Sequence, residues 1–96
     1  MLYALLCDDK PGALQVRLDT RPDHVAHLNA LGDVLKFAGP FLDEAGKPCG
    51  SMLVVEAESA EAARAIAEAD PYAKAGLFAS VAVRPWNWTI KNPAHG

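Results

Sequence analysis

The sequence predicts an α+β domain: a four-stranded antiparallel sheet with its helices on one face, the ferredoxin-like βαββαβ arrangement. Two observations carry that expectation. Four short apolar runs, LYALLC (2–7), VLKFAGPFL (34–42), GSMLVVEAE (50–58) and LFASVAVRPW (77–86), are each bounded by turn formers and read as strands. The segments after the first and third runs carry helical patterns, and the order βαββαβ has this layered packing as its standard solution. At 96 residues the chain fits one domain, expected over 1–91, with 92–96 as an exposed C-terminal tail.

The first strand ends where Asp8-Asp9-Lys10-Pro11-Gly12 gathers turn formers. From Leu14 the apolar residues fall at 14, 18, 25, 28 and 31, with Thr20 and Pro22 interrupting. This spacing predicts a short helical turn over about 13–18, then a longer helix that begins at Thr20-Arg21-Pro22-Asp23 and closes near Gly32. The second and third strands form a hairpin around Gly46-Lys47-Pro48, and Pro40 belongs on an edge or bulge because it has no N–H to donate. Ser59 caps the helix AEAARAIAEA, with Ala62, Ala65, Ile66 and Ala69 as its expected buried stripe. That helix must stop at Asp70, since the residue before Pro71 is pushed out of helical geometry. PYAKAG reads as a short helical turn before the last strand.

Composition narrows the function classes. Net charge is −3 with no basic cluster, which argues against nucleic acid as a partner. No stretch approaches the roughly 20 apolar residues of a membrane span, so no membrane partner is expected. MLYALLC lacks the basic leader of an export signal, and Cys7 and Cys49 then read as reduced thiols of a cytoplasmic protein. A domain this small has a thin margin of buried surface, and the uncovered sheet face is most economically packed on its twin in a homodimer.

Several side chains could carry chemistry, each with a simpler reading beside it. His24 is either an exposed histidine near a helix start or a proton carrier poised near neutral pH. Asp70 can cap the PYAK turn, or accept from one imidazole nitrogen of His24 and so leave the other free as general base or acid. Arg21 offers a fork of donors to a carboxylate or phenolate, and Ser51 a hydroxyl. His24 and His27 lack a third ligand, so no metal is expected, and without a phosphate loop or dinucleotide fingerprint no cofactor is expected either. Tyr72, Phe37 and Phe41 read as core or pocket wall, and Trp86 and Trp88 as subunit packing.

Taken together, MLYALLCDD, RPDHVAHL, the AGP at 38–40, GS at 50–51, SAEAARAIAEADPYAKAGLF and VAVRPW resemble the YCII-related family over residues 1–88. The resemblance implies a dimeric α+β barrel and a site built on a His–Asp pair, which falls on His24 and Asp70. Arg21, Gly39, Pro40 and Ser51 fall on other motif positions and are the expected substrate-binding residues. The function expected is a small dimeric, cofactor-independent enzyme doing acid–base chemistry on a small, aromatic or cyclic metabolite; the alternative is a non-catalytic ligand-binding or interaction module of the same fold. One geometric difficulty accompanies it. Both long helices begin at the same end of the sheet, yet His24 lies near the start of one and Asp70 at the close of the other. The pair can meet only if the turn at 13–18 displaces the first helix, or if the dimer supplies one partner; the displaced helix is the expectation.

Overall fold

In the computed structural model, which describes residues 1–93, the elements follow the order β1 (Leu2–Asp9), α1 (Leu14–Ala30), β2 (Leu35–Leu42), β3 (Pro48–Glu56), α2 (Ala60–Ala69), α3 (Pro71–Lys74) and β4 (Phe78–Trp86), with a 3-10 turn at Gly32–Val34 between α1 and β2. The sheet order is β2-β3-β1-β4, every neighbouring pair antiparallel. This is the ferredoxin-like layout expected from the sequence. Of the tail expected at 92–96, residues 94–96 lie outside the described ones, and Asn92 donates to the Trp88 carbonyl.

Alternation along β1 sorts the sheet into two faces. Tyr3, Leu5 and Cys7 point to the helices and join Leu53 and Val55 of β3 and Ala63 and Ala67 of α2 in the core. Cys7 is paired with Ser51, which places a serine hydroxyl at the end of this apolar row. The register assigns Ala4, Leu6, Val54 and Met52 to the opposite face. In a flat sheet the edge strands β2 and β4 would stand roughly 14 Å apart. Yet Phe37 of β2 lies 5.8 Å from Trp86 of β4 and 5.0 Å from Trp88, ring centroid to centroid. The three rings therefore reach inward across the uncovered face, where Ala4 and Val54 are buried. Trp86 and Trp88 thus serve packing within the chain.

Two expectations about helices are corrected. The first helix does not begin at Thr20: α1 is continuous from Leu14 through Pro22 to Ala30, and no side chain caps its start. Pro22 withholds the hydrogen bond that the Leu18 carbonyl would receive, a break that isolated helices do not tolerate well. Tertiary anchors on either side hold the helix together, since Arg17 and His24 are its two buried residues. On α2, the buried positions are Ala63 and Ala67, while Ala65 and Ala69 are exposed and Ala62 and Ile66 intermediate. The stripe is shifted by one residue because Glu61, Arg64 and Glu68 share the solvent side of the helix, which turns Ala63 and Ala67 inward. The cap and stop of α2 are as expected: Ser59 accepts from the Ala62 N–H, and the helix ends at Ala69 before Asp70. Pro40 sits on the edge strand β2.

Candidate active site

The continuous α1 resolves how His24 reaches Asp70. His24 is not at a helix start; it lies ten residues into α1, beside the α2–α3 junction where Asp70 sits. The two meet within one chain, with His24 Nδ1 at 2.9 and 2.8 Å from the two Asp70 carboxylate oxygens. Asp70 is 1% exposed, and its Oδ1 also accepts from the Tyr72 N–H at 2.9 Å, so it caps α3 and contacts the imidazole at once. A carboxylate only accepts, so Nδ1 is the nitrogen that carries hydrogen toward it. In the neutral ring Nε2 is then left with its lone pair.

Tyr72, buried and immediately inside α3, holds the other side of the arrangement. Its ring stacks on His24 at 3.9 Å between centroids with 17° between planes. The Arg17 guanidinium carbon lies 4.6 Å from the same ring centroid. Residues 17 and 24 are seven apart, two helical turns or roughly 10 Å along α1, which leaves room for one aromatic ring between them. The result is a three-layer stack of imidazole, phenol and guanidinium. Burial holds the Tyr72 phenol above its ordinary pKa against the opposing pull of Arg17 and Arg21, so it stands in the cleft as a neutral hydroxyl.

Arg17 was not singled out by the sequence reading, and neither was its partner Asp9. Arg17 Nε and Nη2 donate to the two Asp9 oxygens at 2.6 and 2.8 Å, and Nη2 also donates to Ser51 Oγ at 2.9 Å. Burial opposes the Arg17 charge, but the hydrogen bonds and charge of Asp9 outweigh it and hold the guanidinium above its usual pKa. The available signal was spacing: 17, 21 and 24 recur at four and three residues and so share one face of a helix. The expected break at Thr20 hid it.

The remaining expected residues gather on the same cleft. It encloses about 290 Å³ between α1 and the β2–β3 edge, and Arg21, His24, Gly39, Pro40 and Ser51 all line it, with Arg17 and Tyr72. Leu18, Val25 and Leu28 supply apolar wall. Asp70 stands behind His24, outside the lining. Small-molecule sites run from about 300 to 1,000 Å³, so this one suits a ligand of a single ring. Among the described residues no group of three or more His, Cys, Asp and Glu side chains could hold a metal, and no helix is long and apolar enough to cross a membrane.

Cys7 lies in the core, paired in register with the cleft-lining Ser51, and is a buried free thiol. Burial first, and the Asp70 charge second, push its thiol up to about 12. A thiol raised in the folded state favours folding fully at pH below its unfolded value, near 8.5, and that contribution fades as pH rises toward 12. In urea titrations the stability gap between wild type and Cys7→Ala should therefore narrow steadily above pH 9; a constant gap would show that Cys7 ionises as freely in the folded chain as in the unfolded one.

A sequence model of the YCII-related domain matches residues 1–87. The chain is 42% identical over 94 residues to "Protein YciI" of Escherichia coli O6:H1, covering 90% of this chain and 96% of that one. It is 37% identical over 95 residues to an uncharacterized protein of Haemophilus influenzae, with the same coverage of 90% and 96%. Among solved structures, it superposes with a TM-score of 0.84 at 37% identity on 5-chloro-2-hydroxyhydroquinone dehydrochlorinase (TftG) from Burkholderia phenoliruptrix, in complex with 2,5-dihydroxybenzoquinone, covering 96% of this chain and 99% of that one. A NIPSNAP domain protein from Burkholderia xenovorans matches with a TM-score of 0.53 at 12% identity over 97% of this chain, a likeness of fold alone.

Proposed function

The chain belongs to the YCII-related domain family, and on that premise we propose that it is an enzyme that removes a proton from a small hydroxylated ring and so expels a leaving group. The observation that carries this reading is the orientation of His24: Nδ1 is engaged by a buried carboxylate, and the ring lines a single-ring cleft in which Nε2 is the nitrogen left to act. His24 serves as general base, with Asp70 fixing its tautomer and stabilising the imidazolium that forms. One hydroxyl proton first moves to the ring carbon that bears the leaving group, giving the keto form. Nε2 then takes a second hydroxyl proton, the O–H pair becomes a C=O bond, the adjacent ring double bond shifts, and the leaving group departs with the pair of its own bond. With chloride as leaving group, the products are HCl equivalents and a quinone.

The other residues bind. Ser51 Oγ, having accepted from Arg17, keeps its own hydrogen for a substrate oxygen. Arg21 offers donors from the mouth of the cleft, and Gly39 and Pro40 form the wall facing α1. The dehydrochlorinase neighbour, which acts on a chlorinated hydroquinone and shares 37% of its sequence with this chain, supports a ring substrate. The test is chloride release: the purified protein is expected to liberate chloride from 5-chloro-2-hydroxyhydroquinone faster than buffer does. A rate equal to buffer, with the related ring compounds also unchanged, would refute the elimination.

We further propose a homodimer formed through the uncovered sheet face, working in the cytoplasm, where Cys7 and Cys49 stay reduced as the two free thiols they are here. Trp86, Trp88 and Phe37 cover one end of that face. The other end presents Leu6, Met52 and a Phe41 that is 37% exposed. Sedimentation at micromolar concentration should give twice the chain mass, and Phe41→Glu should shift it toward monomer; a wild-type monomer would remove the dimer from the account.

A further inference from the structure

The charges around the cleft are not equivalent. Arg17 is neutralised by the Asp9 carboxylate, which takes two of its donors. His24 has Asp70 beside it. Arg21 alone lacks an acidic partner among the described residues. It lies four residues after Arg17 and three before His24, on the same face of α1, and its charge reaches the Tyr72 phenol. No Asp or Glu lines the cleft.

We propose that the site takes its substrate as an anion, a single ring whose ionised oxygen rests between the Arg21 guanidinium and the Tyr72 hydroxyl. This rests on the reading of the cleft as an acid–base site for ring compounds and adds the charge state it selects. A cationic ligand would meet an uncompensated guanidinium with no carboxylate to receive it. A neutral ring would leave that guanidinium unused. The apolar wall of Leu18, Val25, Leu28 and Ala38 excludes water from one side, which strengthens the attraction of the remaining charge. One guanidinium and one hydroxyl match the two lone-pair directions of a phenolate or enolate oxygen.

The test compares two probes on the whole protein by calorimetric titration at neutral pH. The first, 2,5-dihydroxybenzoquinone, is a vinylogous acid and is ionised there; the second, hydroquinone, has similar size and is neutral. The anion should bind more tightly. Arg21→Ala, at an exposed position that the fold does not need, should weaken the anion about 10- to 100-fold, the value of a charged hydrogen bond, and leave hydroquinone unchanged. Arg21→Lys should recover part of the loss, and added salt should weaken only the anion. Equal binding of both probes, no measurable binding of the anion, or an Arg21→Ala protein that holds the anion like wild type would each overturn the proposal. Chloride release and its dependence on His24 are read separately: turnover without anion preference refutes this inference alone, and anion binding at Arg21 without turnover refutes only the elimination.

Discussion

Replacing His24 with glutamine is expected to lower chloride release by about two to four orders of magnitude, the usual contribution of a positioned general base. The substitution keeps a polar side chain against Asp70 but removes the basic nitrogen in the cleft. Asp70→Asn should cost less, since the amide oxygen can still accept from the Tyr72 N–H that Asp70 now caps. What it loses is the carboxylate that holds Nδ1 as donor and stabilises imidazolium. Circular dichroism on each variant separates lost chemistry from lost fold. A folded His24→Gln protein that turns over at the wild-type rate would remove His24 from the mechanism.

The second large effect concerns stability. Asp9 and Arg17 have side chains 6% and 5% exposed and join at 2.6 Å. Removing one member of such a buried pair strands the other charge, which typically costs about 3–5 kcal/mol. Asp9→Ala should therefore destabilise by that amount in urea unfolding, because the unpaired guanidinium sits between β1, Ser51 and the Tyr72 ring. The double variant Asp9→Ala with Arg17→Met should be more stable than Asp9→Ala alone, since no charge is left buried. Losses below about 1 kcal/mol, as for an exposed pair, would show that α1 is held by something else.

That ion pair also explains where the sequence was readable. The strands were legible because alternation and flanking turns mark them: Tyr3, Leu5 and Cys7 point one way, and Asp8 to Gly12 end the run. The cap of Ser59 and the stop at Asp70 rest on local chemistry and needed no tertiary knowledge. The course of α1 was hidden because its two buried residues are Arg17 and His24, while the apolar Leu18, Val25 and Leu28 face the cleft and their row is broken at position 21 by Arg21. Pro22 then looked like a boundary. The stack of His24, Tyr72 and Arg17 joins positions far apart in the chain, and no local pattern announces it. His24, Asp70, Arg21, Gly39, Pro40 and Ser51 could be nominated through motif resemblance, whereas Asp9 and Arg17 came only from the three-dimensional arrangement.

The central claim is that His24 Nε2 faces the reacting ring. A crystal structure of this protein with 2,5-dihydroxybenzoquinone measures that directly. The account predicts the ring in the cleft between α1 and the β2–β3 edge, with one of its atoms about 3 Å from Nε2, within hydrogen-bond reach, and Nδ1 still on Asp70. A ring bound away from the imidazole, or an imidazole turned so that Nε2 meets Asp70 instead, would contradict it.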